Sequence, residues 1–368
     1  MYFSILRVQL IKMLRAISGV IERRYAQNPI LSNILISIKD EKLDMTATDQ
    51  EVELNTRESV YSVKKTGTLL IPFRKLNDIC RSLPENSIIT FQGTSEKITI
   101  IASQSRFMLS GLPIGIFPKI ELPKENKNLL LSQYDFSDLL ERTAFAMAIN
   151  DVRYFLNGML LHVHNDVLIA VAADGHRLAM QTLKLKTSIN DNIQVIVPRK
   201  GILEILRVLS DSPEVIELLL GKNHICLKAG TTTLISKLLE GQFPDYKHAI
   251  PQRGNKIAIG SREQLKESFV RASALFDEKS QGVHLKLLNG SMKILAHSNE
   301  NDEVEEDIKV AYDGGDLEIA LNARYLIDFF SVMHSEYVRL TFSESGRSAL
   351  VEELGGKNGL YVIMPMRI

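Results

Sequence analysis

The sequence has no tryptophan and only two cysteines, Cys80 and Cys226, among its 368 residues. Two cysteines cannot build a disulfide framework, so both thiols read as reduced, intracellular residues and stability must come from buried apolar surface. Net charge is missing as well, since 44 Lys and Arg balance 44 Asp and Glu. That excludes a uniformly basic nucleic-acid coat, though not one basic face among neutral ones. No apolar run approaches the ~18 residues of a spanning helix. The alternating start, Tyr2 to Leu6, is unlike a signal peptide. Phosphate loops are absent: Gly221-Lys222-Asn223 and Gly356-Lys357-Asn358 lack the glycine spacing and the following Ser or Thr. No Gly-x-Ser-x-Gly elbow and no Cys-x-x-Cys occurs. The expectation from these absences is a soluble, cytoplasmic protein without a cofactor. Its 368 residues, 45% hydrophobic and 24% charged, suit two or three globular domains.

What is present is a repeat. Ile71-Pro72 and the segment up to Leu83 have a counterpart in Val197-Pro198 up to Leu209, with Pro72 and Pro198, Ile79 and Ile205, Arg81 and Arg207 each 126 apart. A weaker third copy, Leu321 to Phe330, lies a further 124 along. Each copy is a strand end, a Pro or Asn in a capping position, then apolar residues at helical spacing. Alternating strands follow at Ile88, Val215 and Val338. Phe117-Pro118 recurs as Phe243-Pro244, and Asp49 recurs 125 residues on as Asp174. Each repeat also opens as a short strand running into an amphipathic helix: Phe3 to Ile17, Leu130 to Met147, Ile257 to Leu275. The chain therefore reads as α+β, with three tandem units of two helices plus antiparallel sheet. Their bounds fall at 1–127, 128–250 and 251–368, in polar segments.

Chemistry-bearing clusters are few. Asp174-Gly175-His176-Arg177 could be an acid–base pair beside an anion-binding arginine, giving a hydrolase or transferase. The plainer alternative is a tight turn between two strands, as Asp49 would make in the first unit without a histidine. His162 and His164 share a strand face and His176 follows, yet no further ligand completes a metal pattern. Charge is uneven along the chain: about +5 in 1–127, −1 in 128–250 and −4 in 251–368. A basic first unit and an acidic third unit suit head-to-tail self-association, which must close into a ring or grow into a filament. Lys12, Arg15, Arg74, Lys75, Arg81, Arg199, Lys200, Arg207 and Arg324 all lie on the repeated helices or at their starts. Their recurrence suggests faces that converge on one polyanion.

Several blocks together resemble a known family. Asn28 to Asn33, Thr46 to Asp49, Asp151 to Met159, Ala173 to Leu178, Phe243 to Tyr246 and Tyr361 to Ile368 look like the bacterial DNA sliding clamp, the beta subunit of the replicative polymerase holoenzyme. The resemblance implies a non-catalytic processivity factor: a head-to-tail homodimeric ring of six domains, helices inside, encircling duplex DNA without reading its sequence. Size agrees, because six spheres of ~35 Å, the size expected for such units, leave a hole of about 35 Å around a duplex roughly 20 Å wide. Four would leave only about 14 Å. Arg23, Arg24, Arg74, Lys75, Arg199 and Lys200 would then face DNA, touching phosphates only.

The same resemblance implies a pocket for short peptides, commonly with a Gln and a Leu-Phe-like end. They would come from the replicative polymerase subunit, the clamp loader, other polymerases and repair proteins. Matched by motif, its residues are Leu156, Ala173, Gly175, His176, Arg177, Leu178, Pro244, His248, Ala249, Asn322, Tyr325, Ser348, Val362, Ile363, Met364, Pro365 and Met366. Ala173, His248 and Gly346 depart from the residues usual there. The ring seam would join Lys75, Arg106, Phe107 and Leu109 of the first unit to Ala274, Leu275, Glu303, Glu305 and Glu306 of the third. Neither a metal nor a cofactor, and no membrane, is implied.

Overall fold

The computed structural model describes residues 1–21, 29–94, 96–121, 126–251, 254–275, 281–297, 302–343, 347–355 and 359–366. The first third carries β1 (Tyr2–Leu6), α1 (Arg7–Ile17), β2 (Asn33–Lys39), β3 (Lys42–Thr48), β4 (Val52–Ser59), β5 (Ser62–Lys65), β6 (Gly67–Pro72), α2 (Phe73–Ser82), β7 (Ile88–Gly93), β8 (Lys97–Ala102) and β9 (Ser105–Ser110). The middle third carries β10 (Asn126–Ser132), α3 (Gln133–Ala144), β11 (Gly158–Ala173), β12 (Arg177–Pro198), α4 (Arg199–Val208), β13 (Val215–Gly221), β14 (His224–Ala229) and β15 (Thr232–Lys237). The last third carries β16 (Lys256–Ser261), α5 (Arg262–Ala272), β17 (Gly282–Leu288), β18 (Ser291–His297), β19 (Glu303–Lys309), β20 (Leu317–Asn322), α6 (Ala323–Val332), β21 (Tyr337–Phe342), β22 (Ala349–Glu353) and β23 (Leu360–Ile363). All strand–helix openings expected from the sequence are present.

The helices form because apolar residues recur at one face. In α1 the buried positions are Leu10, Met13, Leu14 and Ile17, and in α5 Leu265, Phe269 and Ala272 take the same spacing. Side chains do not cap the starts of these two helices. The first amide instead donates to the residue just before the strand that follows the second helix: Arg7 to Ser87 O at 2.9 Å, Gln133 to Glu214 O at 3.0 Å, Arg262 to Glu336 O at 2.9 Å. An orphan donor is thereby satisfied identically in each repeat. Two of these residues also close the second helix. Arg7 Nε donates to Cys80 O at 2.7 Å, and Arg262 Nη1 to Phe330 O at 3.0 Å, placing a cation at the negative end of α2 and of α6.

By its contacts the chain divides into two compact units, Met1–Tyr134 with Lys200–Leu238, and Asp135–Arg199 with Leu239–Ile368. The first unit holds a five-stranded sheet, β5-β1-β7-β8-β9, and an eight-stranded sheet, β10-β13-β14-β15-β4-β3-β2-β6. The second holds a six-stranded sheet, β11-β12-β23-β22-β21-β16, and a four-stranded sheet, β19-β18-β17-β20. Every strand pairing among the described residues that joins named strands is antiparallel, as the short, turn-separated strands predict. Repeats are not separate sheets: β15 pairs with β4 inside the first unit, and β12 with β23 inside the second.

Charged groups are buried where α4 meets the first repeat. Glu204 is 5% exposed, bonded by Arg207 Nη1 at 3.0 Å, and Lys200 Nζ contacts Asp49 Oδ2 nearby. Burial raises the Glu204 carboxyl above the ordinary carboxylate range, against the pull of Arg207 and Lys200. The folded state thus holds this proton more tightly than the unfolded chain, so stability falls as pH rises from about 4.5 through the raised value. Urea midpoints measured across that window should decline, and Glu204→Gln should flatten the decline; an unaltered slope would place its origin elsewhere.

Candidate functional site

The enzyme-like cluster is a turn. Asp174 Oδ1 accepts the amides of His176 at 2.9 Å and Arg177 at 3.0 Å, while the Asp174 amide donates to Arg177 O at 3.3 Å. Gly175 sits at φ +89°, a left-handed conformation that glycine adopts without strain. The first repeat makes the same turn: Asp49 Oδ1 accepts the amides of Glu51 at 2.9 Å and Val52 at 2.7 Å, with Gln50 at φ +77°. With both Asp174 oxygens occupied by the turn and its own arginine, no acid–base pair remains.

Arg177 is the pin of this turn. Its Nε donates to Asp174 Oδ2 at 3.0 Å, Nη1 to Asp328 Oδ2 at 2.5 Å and Nη2 to Phe145 O at 2.8 Å. The guanidinium also lies 4.3 Å from the Tyr325 ring centroid and 5.2 Å from that of Phe145. Burial, helped by Asp174, raises the Tyr325 phenol and keeps it protonated. Asn322 is the N-cap of α6, accepting the amides of Arg324 at 3.0 Å and Tyr325 at 3.4 Å. These three residues therefore fix the wall on which α6 meets the hairpin.

The chain end completes the wall. β23 lies beside β12 with Val362 opposite Leu178 and Ile363 opposite Arg177. Met364 then donates its amide to His176 O at 2.9 Å, and Met366 to Ala320 O at 2.8 Å. Val362 and Ile363 are buried, whereas Met364 and Met366 remain 46% and 40% exposed. Leu156, Leu178 and Val362 belong to one buried cluster with Ala148, Leu160, Val171, Ile196, Phe243 and Tyr246, and Ala173 packs at its edge. Beside it, Asp245 caps the short turn Tyr246–Ala249 through the Lys247 amide at 3.1 Å, presenting Pro244, His248 and Ala249 outward. His176 is exposed, Pro365 and Ser348 are half-buried, and Gly346 lies outside the described residues. These contacts bring together Leu156, Ala173, Leu178 and Val362, join Met364 to His176, and set Arg177 on Tyr325. Sequence matching left out Phe243 and Tyr246 of this cluster, although the repeated Phe-Pro pair pointed to them.

His162 is bonded within the protein. Its Nδ1 accepts from the Tyr246 hydroxyl at 3.1 Å and its Nε2 bonds Asn192 Oδ1 at 2.6 Å, so both ring nitrogens are used. Among the described residues no three His, Cys, Asp or Glu side chains gather as a metal site.

Elsewhere, Arg74 and Lys75 stand exposed on the first turn of α2, and Arg23 and Arg24 lie outside the described residues. Arg199 is half-buried with Nη1 on Met147 O at 3.3 Å, and Lys200 is held by Asp49. On β9, Arg106 is exposed while Phe107 and Leu109 are half-buried; Ala274 is exposed in the turn Ser273–Leu275. The side chain of Leu275 lies outside the described residues. On β19 the acids already have partners: Glu303 with His297 at 3.3 Å, Glu305 with Lys293 at 2.6 Å, Glu306 with Arg271 at 2.7 Å.

Three family descriptions cover the chain in succession: DNA polymerase III beta subunit, N-terminal domain over residues 1–121, central domain over 130–245 and C-terminal domain over 247–367. The beta sliding clamp of Pseudomonas aeruginosa is 44% identical over 368 residues, covering all of both chains. That of Escherichia coli K12 is 36% identical, again over the whole of both. Among solved structures, the DNA polymerase III beta subunit of Pseudomonas aeruginosa matches with a TM-score of 0.96 at 44% identity, covering 100% of each chain. A Pseudomonas aeruginosa clamp bound to griselimycin matches equally, with a TM-score of 0.96 at 44% identity and 100% coverage of each chain. The chain belongs to the bacterial DNA polymerase III beta subunit family, the beta sliding clamps. These are non-catalytic processivity factors, ring dimers that encircle DNA and tether peptide-bearing partners.

Removing the pin should loosen the hairpin. Arg177→Ala leaves Asp328 and the Phe145 carbonyl without their donor, a cost of about 1–3 kcal/mol. Urea denaturation should show it, and the Met364 amide should exchange faster; an unchanged midpoint would make the pin dispensable.

Proposed function

We propose that the groove between the Ala173–Leu178 turn, the Pro244–Ala249 segment and the chain end holds short linear peptides. The carrying observation is the apolar cluster around Leu178 and Val362, left with Met364 and Met366 exposed at its rim. Methionines suit a site that accepts several peptides, because their side chains repack at little cost. The partners of this reading are the replicative polymerase subunit, the clamp loader, other polymerases and repair proteins. A truncated anchor contact in such a groove costs on the order of 1–2 kcal/mol or more. Met364→Asp should leave a folded dimer that no longer binds a fluorescent peptide carrying Gln and ending in Leu-Phe. Undiminished affinity would put the partner site elsewhere.

We further propose three domains, 1–127, 128–250 and 251–368, and a head-to-tail dimer in which β9 of one copy pairs with β19 of the other. Support comes from the sheet orders. β15 is the last of the middle repeat's strands β10-β13-β14-β15 and β23 the last of β16-β21-β22-β23, and both are paired to a strand of the preceding repeat. The corresponding strand of the first repeat, β9, ends its sheet, and β19, the last repeat's counterpart of β4 and β12, ends another. An exposed strand edge seeks a partner. Since the β19 acids are engaged within the chain, apolar contacts would carry the affinity and charge would set orientation. Leu109→Asp should give monomers in sedimentation velocity, and a persistent dimer would place the seam elsewhere. Arg23, Arg24, Arg74, Lys75, Arg199 and Lys200 would face the encircled duplex, with Arg74 and Lys75 the freest to reach phosphate. The reading places the protein in the cytoplasm, on the nucleoid; no helix among the described residues is long and apolar enough to cross a membrane.

A further inference from the structure

The two places where one repeat's sheet joins the next match residue by residue. β15 sets Ile235 opposite Glu53, as β23 sets Val362 opposite Leu178. Within the hairpins, Thr48 lies opposite Glu53 and Ala173 opposite Leu178. The amide beyond follows suit: Lys237 donates to Glu51 O at 2.9 Å, and Met364 to His176 O at 2.9 Å. Phe117 and Ile120 precede Phe243 and Tyr246 by 126 residues. The scaffold of the proposed groove is therefore built twice in one chain.

Its lining is not. Val171, Leu178, Met180 and Met364 correspond to Thr46, Glu53, Asn55 and Lys237. Asn55 Nδ2 donates to Thr46 Oγ1 at 2.9 Å, and Glu53 Oε2 accepts the Ile120 amide at 2.9 Å. Burial raises the Glu53 carboxyl, opposed by the Ile120 amide and by Lys119. Among the described residues the apolar cluster here shrinks to three buried residues, Leu35, Leu70 and Phe117, against nine at the other joint. An apolar anchor entering beside Glu53 would strip water from a half-desolvated carboxylate and compete with the amide it holds.

We propose that Glu53 closes the first of these two scaffolds to partner peptides and so restricts each chain to one groove. The inference rests on the groove assigned above. Lys237 adds a second barrier, because it stands where Met364 would offer an apolar rim.

Peptide stoichiometry on the full chain, read by native mass spectrometry with the same Gln-containing, Leu-Phe-ending peptide, tests this. Wild type should take one peptide per chain and Met364→Asp none. Adding Glu53→Leu and Lys237→Met to Met364→Asp should restore one, while adding Glu53→Gln instead should not, since glutamine still accepts the Ile120 amide. Glu53→Leu with Lys237→Met in the otherwise wild-type chain should take two, which guards against poor folding of the triple variant. Two peptides on the wild-type chain would overturn the proposal, as would a cooperatively melting Glu53→Leu, Lys237→Met chain that still takes one. Retention of peptide by Met364→Asp would instead remove the groove assignment itself.

Discussion

Backbone pairing between repeats is the constraint on which the rest depends. A sheet that ended with each repeat would leave rows of unpaired amides and carbonyls, and antiparallel pairing with the neighbouring repeat removes them. In the second unit that pairing fixes register: once Val362 lies opposite Leu178, the following residues must run past His176 toward Ala320. A one-residue slip would turn Val362 out of the cluster and Ile363 in, so the burial of both faces enforces the register. The placement of the chain end beside β12 is a consequence of this ladder, which Arg177 braces at the turn.

The turn at Asp174 shows how one piece of backbone serves two ends. In the first repeat the carboxylate that builds the turn also holds Lys200. In the second, the turn aspartate holds Arg177, whose remaining nitrogens reach Asp328 and the Phe145 carbonyl. An arginine is suited to this because its planar fork satisfies several acceptors at once, which a lysine cannot do. Divergence between repeats has thus been confined to side chains that line or brace the joint, while the hydrogen-bonded frame is kept.

The basic helices carry the same contrast. Arg7 and Arg262 are spent on helix carbonyls and Arg199 is partly spent on Met147, so they stabilise the fold before they can meet any ligand. Arg74 and Lys75 make no such bond among the described residues and stand exposed on the first turn of α2. A loose, sequence-independent hold on a polyanion needs few firm contacts, because many phosphate contacts would bind tightly and hinder sliding. Neutral total charge with local basic positions fits that requirement.

Sequence periodicity alone determined the triplication, the strand–helix order of each repeat and the antiparallel class, because apolar spacing and repeat pitch are local properties. Motif resemblance added the family and named the residues of the proposed groove, from Leu178 to Met364. Only the tertiary structure decided which strands pair between repeats, since β12 and β23 lie far apart in sequence and nothing in their composition names a partner. It alone separated turn from catalytic cluster at Asp174, by showing where both oxygens are spent. It also showed His162 satisfied by Tyr246 and Asn192, and Glu306 already held by Arg271. A residue's type advertises what it can bond. Whether it is free to do so depends on the neighbours that folding brings to it.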